Sequence, residues 1–296
     1  MVTVTEYFGH TVVNYGPLTT TYTPPASCTT VTTDHIYYAK ANATAVDAVI
    51  GVPTCEPDLI GKCLPSGDAY DKGLSRWAKQ GGQNNLGYFS PGVVCPKGWT
   101  TVGTLAHGDT TGSANKSGIF TQDLGPLYHN LSPERLWLGI LEPSETLALC
   151  CPSGWIANAG GACYSSIKPF RSATYTAKCF RSVPATALTQ VFTVEGTPEP
   201  SGIVSFATGD YPSTTRAISS LDRDQKSELE KAAIVREFAV VRLVYKDSDM
   251  KASKDGGNDK GDDNGASALS RDVSFIPMIM VLFSMLFGAG LLIPRF

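Results

Sequence analysis

Apolar residues in the first 245 positions fall mostly in short runs that alternate with threonine and other polar residues. Residues 2–13 and 186–209 show this alternation, and residues 191–194 form the clearest run. Residues 238–245 are apolar on both sides except at Arg242, as in a strand that is buried on both faces. Together with 29 glycines and 19 prolines, this patterning predicts a mainly β fold with many turns.

Helical patterning is confined to one segment of the same region. One short helix is expected near residues 220–234, where Ser220 suits the N-cap and Asp222 suits the first turn. Residues 66–87 are rich in Gly, Asn and Gln and predict a surface loop. Residues 41–50 fit either a short helix or a strand.

The composition of the chain changes after Tyr245. Residues 1–245 are predicted to form one cysteine-rich, β-rich ectodomain, and residues 246–272 a disordered linker of Asp, Lys, Gly, Ser and Asn. Phe275–Ile293 carries no charge, and a helix of about 19 residues spans about 28 Å, close to a bilayer core. Residues 273–293 are therefore predicted to be a transmembrane helix or a glycosylphosphatidylinositol (GPI) attachment signal.

The second interpretation of the tail assigns a lipid attachment site. A GPI signal needs small residues at the attachment site, a polar spacer of about 8–12 residues and an apolar end. Asn264, Gly265 and Ala266 supply the small residues, and residues 267–274 supply the spacer. Asn264 is the predicted attachment residue. Under either interpretation, the C-terminal segment makes a membrane the expected partner.

Eight cysteines occur in the chain, all between residues 28 and 179. An even number in a turn-rich region predicts four disulfides, with a connectivity that spacing does not decide. Zinc is the alternative, but the paired C-x2-C spacing of common zinc sites is absent. Adjacent Cys150 and Cys151 are expected to bond to different partners, and Cys55 and Cys63 are expected to staple one loop. The predicted disulfide cysteines are Cys28, Cys55, Cys63, Cys95, Cys150, Cys151, Cys163 and Cys179.

A short motif, C-P-x-G-W, occurs at residues 95–99 and again at residues 151–155. Proline fixes φ and glycine accepts a positive φ, so each copy predicts a β-turn. We expect a disulfide-pinned turn that leads into a strand. Trp99 and Trp155 are expected to cover the sulfur atoms, with stacking on a sugar as the alternative role.

Three sequons and the cysteines indicate an extracellular address. The predicted glycosylation sites are Asn42, Asn115 and Asn130, the last of them weakened by Pro133. The chain starts with strand-like alternation rather than with an apolar export signal. We therefore expect Met1 to be an internal methionine of a longer chain.

Catalytic signatures are absent from the sequence. The four histidines lack metal-binding spacing, the carboxylates are scattered, and no nucleophile elbow, P-loop or dinucleotide motif occurs. The net charge of −3 comes without a basic stripe, so nucleic acid is not an expected partner. We expect no cofactor, no metal site and no enzymatic activity.

Five short motifs follow one another in a fixed order. They are PLTTTYTPPASC at 17–28, YFSPGVVCPKGW at 88–99, CCPSGW at 150–155, CYSS at 163–166 and YKDSD at 245–249. In this order they resemble uncharacterised surface proteins of filamentous ascomycete fungi, over roughly residues 16–295. The resemblance implies a signal peptide, a cysteine-rich ectodomain, a linker and a transmembrane or GPI tail. This chain departs from the family pattern because its sequence shows no signal peptide.

These observations predict a membrane-anchored, non-enzymatic glycoprotein at a fungal cell surface, with its ectodomain outside. The expected role lies in wall organisation, adhesion or sensing, with cell-wall glycans as a further partner. The alternative is a surface-anchored enzyme that acts on wall polysaccharide.

Overall fold

The structure of the chain is a computed structural model, whose described residues all belong to the unit Met1–Gly261. The described residues are 2, 4–28, 36–40, 49–81, 85–109, 114–122, 131–158, 160–165, 168–171, 174–209 and 211–255. The α-helices are α1 (Gly67–Gln80), α2 (Pro133–Leu138), α3 (Arg223–Glu230) and α4 (Asp247–Asp255), with 3-10 turns at Gly61–Cys63, Ile119–Thr121, Ala185–Ala187 and Ile218–Ser220. The strands are β1 (Glu6–Tyr7), β2 (His10–Asn14), β3 (Ile36–Lys40), β4 (Val49–Gly51), β5 (Leu86–Tyr88), β6 (Trp99–His107), β7 (Ala114–Gly118), β8 (Thr146–Pro152), β9 (Ile156–Asn158), β10 (Ala162–Tyr164), β11 (Lys168–Pro169), β12 (Ala177–Arg181), β13 (Leu188–Val194), β14 (Thr197–Phe206), β15 (Ser213–Ala217), β16 (Ala232–Ala239) and β17 (Val241–Tyr245).

The first sheet has four antiparallel strands in the order β17-β8-β6-β7. The chain that leaves β5 lies parallel to β17, because the Phe89 amide donates to the Arg242 carbonyl at 2.9 Å and the Val244 amide donates to the Phe89 carbonyl at 2.8 Å. Strand β5 in turn pairs in parallel with β2, which pairs with β1. The largest apolar core packs around this sheet and includes Leu105, Leu147 and Leu149, each fully buried.

The second sheet has the order β4-β3-β16-β10-β9, and β11 also pairs with β16. Two separate two-stranded antiparallel sheets, β12-β15 and the hairpin β13-β14, complete the described β structure. The prediction of a mainly β fold with many turns is confirmed. The prediction of strands and a turn for residues 186–209 is also confirmed, because these residues contain β13 and β14.

The predicted strand over residues 238–245 is divided between the two sheets. Strand β16 ends at Ala239 in the second sheet, and β17 begins at Val241 in the first. Between them, the Val240 amide donates to the Gly161 carbonyl at 3.2 Å. A continuous apolar pattern therefore hides a change of sheet, because both strands are buried on two faces.

The predicted helix near residues 220–234 is real but shorter. Helix α3 begins after Asp222, whose carboxylate accepts from the Gln225 amide at 2.8 Å, and ends at Glu230. Ser220, the predicted N-cap, instead donates its hydroxyl to the Ala217 carbonyl at 2.7 Å. The apolar residues from Ala232 onward form β16, because pairing with β3 and β10 outweighs their helical spacing.

Two further predictions are wrong in the described residues. Residues 66–87 were expected to be a loop, but helix α1 occupies 67–80 and ends at Gly81, whose amide donates to the Trp77 carbonyl at 2.8 Å. The Gly, Asn and Gln residues that suggested a loop are concentrated at and after the end of this helix. Helix α4 lies in the predicted disordered linker, where the Lys246 amide donates to the Asp249 carboxylate at 2.8 Å. Residues 256–272 lie outside the described residues.

All eight cysteines form disulfides, as predicted. The pairs are Cys28–Cys63, Cys55–Cys179, Cys95–Cys150 and Cys151–Cys163. The adjacent Cys150 and Cys151 do bond to different partners, whereas the expected staple between Cys55 and Cys63 is wrong. The bond from Cys151 in β8 to Cys163 in β10 joins the first sheet to the second, and both residues are fully buried.

Both copies of the C-P-x-G-W motif form the predicted turn. The Trp99 amide donates to the Pro96 carbonyl at 3.0 Å, and the Trp155 amide donates to the Pro152 carbonyl at 3.1 Å. Strand β6 begins at the first tryptophan and β9 directly after the second. Both indole rings pack against the main core. Their expected contact with the sulfur atoms, like the alternative of stacking on a sugar, stays a prediction.

The glycines of these turns give a matched test. Gly98→Ala and Gly154→Ala should each lower the free energy of unfolding by about 1 kcal/mol, since φ is +79° and +80° and no described heavy atom lies within 4 Å of the added Cβ. Gly118→Ala should cost more, because its Cβ would lie 2.1 Å from the Val102 carbonyl oxygen. Chemical denaturation of the three variants checks this, and equal losses at all three positions would contradict it.

The predicted membrane segment cannot be compared with a helix of the structure. Within the described ranges, no helix combines the length and apolarity that a membrane crossing requires. Residues 273–293 and Asn264 lie outside those ranges. Membrane anchoring therefore stays a prediction.

Candidate functional site

The two faces of the second sheet differ in chemistry. Tyr38 and Ile234 point to one face, where they pack with Leu229 of helix α3 in an apolar cluster. The opposite face carries Val235 in a second cluster with small alanines and two tyrosines. Because side chains alternate along a strand, Glu237 of β16 lies on this opposite face as well. This face is otherwise lined by apolar and aromatic residues, so the presence of a carboxylate on it makes the face the candidate site.

Six polar or aromatic side chains surround this carboxylate, and these six together with Glu237 are called the tyrosine cluster below. Six of the seven members are half-buried and one, Tyr164, is almost fully buried. They come from six separate parts of the chain and are linked through mutual hydrogen bonds or electrostatic contacts. The cluster consists of Tyr15, Tyr37, Asp58, Tyr70, Tyr164, Glu237 and Arg242.

Glu237 is positioned by its neighbour across the sheet. Tyr164 of β10 lies directly opposite in register, and its hydroxyl donates to the Glu237 carboxylate. The Asn158 side-chain amide donates to the same hydroxyl oxygen at 2.9 Å, while its carbonyl oxygen accepts from the Ala162 amide at 3.0 Å. This chain of hydrogen bonds fixes the tyrosine ring and, through it, the carboxylate.

The environment of Glu237 disfavours its charge. The pKa of Glu237 is raised from 4.5 to about 7, mainly by burial and also by the negative charge of Asp58, while the hydrogen bond from the Tyr164 hydroxyl opposes the shift. The side chain nevertheless keeps part of its solvent-accessible surface. A desolvated carboxylate with remaining access to solvent is typical of a concave binding or catalytic site.

The tyrosine hydroxyls of the cluster stay protonated at all physiological pH values. Burial raises the pKa of Tyr37, Tyr70 and Tyr164 well above the ordinary 10.0, and the charge of Glu237 adds to each shift. Each hydroxyl can both donate and accept a hydrogen bond. The cluster therefore presents neutral aromatic rings with polar tips.

Arg242 occupies the other end of the cluster. Its guanidinium donates to the Gly87 carbonyl at 3.5 Å and lies 5.9 Å from the centre of the Trp137 ring. Burial lowers the pKa of Arg242, an effect that Tyr70 and Tyr15 oppose. The charge is thus held between rings, by cation–π and polar contacts.

Gly87 is required for this arrangement, since a Cβ there would lie 2.3 Å from the Tyr15 ring. Gly87→Ala should displace the ring and lower the free energy of unfolding by about 1–3 kcal/mol. In a Tyr15→Leu background the same change should be much less costly, because the clashing ring atoms are gone. A double-mutant cycle by chemical denaturation measures the coupling, and additive effects would show that the two residues do not meet.

Other charged side chains near the cluster have structural roles. Both carboxylate oxygens of Asp71 accept backbone amides, from Ile60 at 2.9 Å and Gly61 at 2.7 Å. No group of three or more His, Cys, Asp or Glu residues within the described part of the chain could hold a metal ion.

Among the predicted glycosylation sites, the structure describes one. Asn115 is exposed on strand β7, and the sequon residue Ser117 donates or accepts at the Thr104 hydroxyl at 2.8 Å. Asn42 and Asn130 lie outside the described residues. Glycosylation at all three asparagines stays a prediction.

The sequence prediction missed the tyrosine cluster entirely. Arg242 was visible only as a lone charge in an apolar stretch, and Glu237 was visible only as the neighbour of Arg236. Tyr37 and Tyr164 stand about 130 residues apart, and no local motif connects them. The one usable signal was a lone charge within a strand expected to be buried on both faces, because such charges need a specific environment.

Comparison of the chain with models of protein families, with curated proteins and with solved structures finds no match.

Proposed function

We propose that the chain is a non-enzymatic glycoprotein of a fungal cell surface that is anchored by its C-terminal segment and contacts cell-wall glycans. Wall organisation, adhesion and sensing are the roles such contact serves. The tyrosine cluster around Glu237 carries the glycan part of this proposal. The four disulfides support the extracellular part, because such bonds persist in oxidising compartments.

The chemistry of the cluster suits a saccharide. A sugar ring has apolar C–H faces that pack on aromatic rings, and hydroxyl groups that need donors and acceptors at its rim. Tyr37, Tyr70 and Tyr164 combine both properties in one side chain. Glu237 adds a strong acceptor at one end of the cluster.

A glycan array probed with the full chain, purified in oxidised form, tests the glycan-binding function. We expect binding to a subset of saccharides, no new reducing ends, and loss of binding after Tyr37→Leu. Absence of binding to every saccharide would contradict the proposal.

Surface display has its own test. Phosphatidylinositol-specific phospholipase C on intact cells should release the protein if Asn264 carries a GPI anchor. Retention together with accessibility to added protease would support a spanning helix instead. Resistance of the ectodomain to protease on intact cells, with cleavage after lysis, would contradict surface display.

The alternative function, hydrolysis of wall polysaccharide, is favoured by one observation. Glu237, with a pKa of about 7 and the carboxylate Asp58 nearby, has the protonation state of a general acid. If the chain were such an enzyme, it would generate reducing ends from polysaccharide at a rate that Glu237→Gln lowers by roughly 100-fold or more. Turnover of this kind would replace the binding proposal.

A further inference from the structure

We propose that the tyrosine cluster recognises the ammonium group of an amino sugar, which is held by the Glu237 carboxylate among the rings of Tyr37, Tyr70 and Tyr164. This inference rests on the proposed glycan-binding function and specifies its ligand class. The ligand is a saccharide with free primary amines, such as a glucosamine oligomer. Neutral and acidic saccharides are its weaker competitors.

The first argument is the charge left uncompensated at Glu237. Its bonding partner is the neutral Tyr164 hydroxyl, and the charge that acts on it is the negative one of Asp58. Within the described part of the chain, no lysine or arginine forms an ion pair with Glu237. A desolvated carboxylate without a cation is unfavourable unless it is protonated or a ligand supplies the cation. An ammonium group removes this penalty.

The second argument is the position of the one cation in the cluster. Arg242 is enclosed near Gly87, Trp137 and Tyr15, and a Cβ on Gly161 would lie 2.0 Å from its terminal nitrogen. Its charge acts on Tyr70 and Tyr15 rather than on Glu237. The Glu237 end of the cluster is therefore negative when ionised, which repels acidic sugars and attracts cationic ones.

The third argument is the aromatic lining of this end. Tyr164 of β10 lies directly opposite Glu237, and Tyr37 of β3 lies opposite Val235, which is two residues earlier in β16, so both tyrosines share a sheet face with the carboxylate. Tyr70 of α1 interacts electrostatically with Glu237. Aromatic rings stabilise an ammonium group by cation–π attraction, and their hydroxyl oxygens accept its remaining hydrogens. Rings beside a carboxylate form the kind of environment in which proteins bind organic ammonium ions.

The proposal has a proton-linkage consequence. Without ligand, Glu237 is largely protonated at pH 6, because its pKa is about 7. An ammonium group favours the carboxylate, so its binding at pH 6 must release the Glu237 proton to solvent. Tyr37, Tyr70 and Tyr164 keep their protons in this range, and Asp58 is the other acidic group near Glu237. A neutral saccharide gives no such release.

Isothermal titration calorimetry of the full chain tests the inference. The probes are glucosamine, N-acetylglucosamine and glucose oligomers of equal length, each at pH 6 in two buffers that differ in ionisation enthalpy. We expect the glucosamine oligomer to bind roughly 10–100-fold more tightly than the neutral ones, as for a hydrogen bond to a charged group. Its binding should release close to one proton per site.

A matched pair of variants assigns the effect. Glu237→Gln should abolish the preference and the proton release, while Glu228→Gln, an exposed carboxylate on helix α3 against the other sheet face, should retain both. Equal affinity for charged and neutral oligomers would overturn this inference and leave the proposed function standing. Absence of binding to all three probes and to the glycan array would overturn both. If Glu237→Gln did not fold, the number of protons released when the wild type binds the glucosamine oligomer would test the inference by itself.

Discussion

Replacing Cys151 and Cys163 together with alanine is expected to lower the free energy of unfolding by about 4–5 kcal/mol. The bond between Cys151 and Cys163 closes a loop with a sequence separation of 12, and loss of this loop closure accounts for about 3 kcal/mol. The rest, about 1–2 kcal/mol, comes from the space left by two sulfur atoms of fully buried residues between the sheets. Denaturant unfolding of the oxidised double variant measures the loss.

The matched control is removal of the pair Cys28–Cys63. Its sequence separation is 35, so loop closure alone predicts that it contributes more than the pair Cys151–Cys163. Cys28 is half-buried, however, and its bond lies at the edge of the main core. We expect removal of the Cys151–Cys163 bond to lower the free energy of unfolding more than removal of the Cys28–Cys63 bond, although its loop is shorter. The opposite order would show that burial between the sheets contributes little.

The same disulfide also affects the candidate site. Cys163 precedes Tyr164 in β10, and Cys150, beside Cys151, lies opposite Val241, which precedes Arg242 in β17. The bond therefore fixes the two strands that carry opposite ends of the tyrosine cluster. A binding site gains affinity when its side chains are held in place before the ligand arrives. Saccharide binding by Cys151→Ala/Cys163→Ala should consequently be weaker even under conditions where the variant is folded.

Glu237→Gln is expected to stabilise the protein at pH 8 by up to about 3 kcal/mol, and to have little effect at pH 4. The folded-state pKa of Glu237, about 7, is above its ordinary 4.5, so the folded state binds the proton more tightly than the unfolded state. The stability that protonation contributes is present below pH 4.5 and is lost as the pH rises to about 7. At about 1.4 kcal/mol per pKa unit, this shift gives the stated magnitude.

Denaturant unfolding of both proteins from pH 4 to pH 8 checks this prediction. The difference between variant and wild type should grow between about pH 4.5 and pH 7 and then level off. Glu228→Gln, which changes an exposed side chain on helix α3, is the matched control for the loss of a carboxyl group. A constant difference for Glu237→Gln would mean that the carboxyl group is not desolvated in the folded protein.

Local features of the chain were readable from the sequence because they depend on a few neighbouring residues. The turn at residues 95–99 follows from Pro96 and Gly98, and the hairpin strands β13 and β14 follow from alternation. The adjacent Cys150 and Cys151 predicted two different partners because a bond between neighbours is strained. Each of these predictions needed no knowledge of distant residues.

Features that depend on strand pairing were not readable in this way. Ile234 stands at helical spacing from Glu230, yet it lies in a central strand because β3 and β11 flank it on the two sides. The tyrosine cluster has the same origin, since the register places Tyr164 opposite Glu237 and Tyr37 opposite Val235. A shift of one residue in either pairing would turn these side chains to the other face. Chain order alone does not specify the register.

Hydrogen–deuterium exchange of the full chain, with and without a bound glucosamine oligomer, tests the central claim most directly. The claim is that a saccharide binds in the tyrosine cluster of a disulfide-stapled β scaffold. We expect slower exchange in α1, β3, β10 and β16, and unchanged exchange in the β13-β14 hairpin. Binding accompanied by protection only outside these four elements, or only in that hairpin, would contradict it.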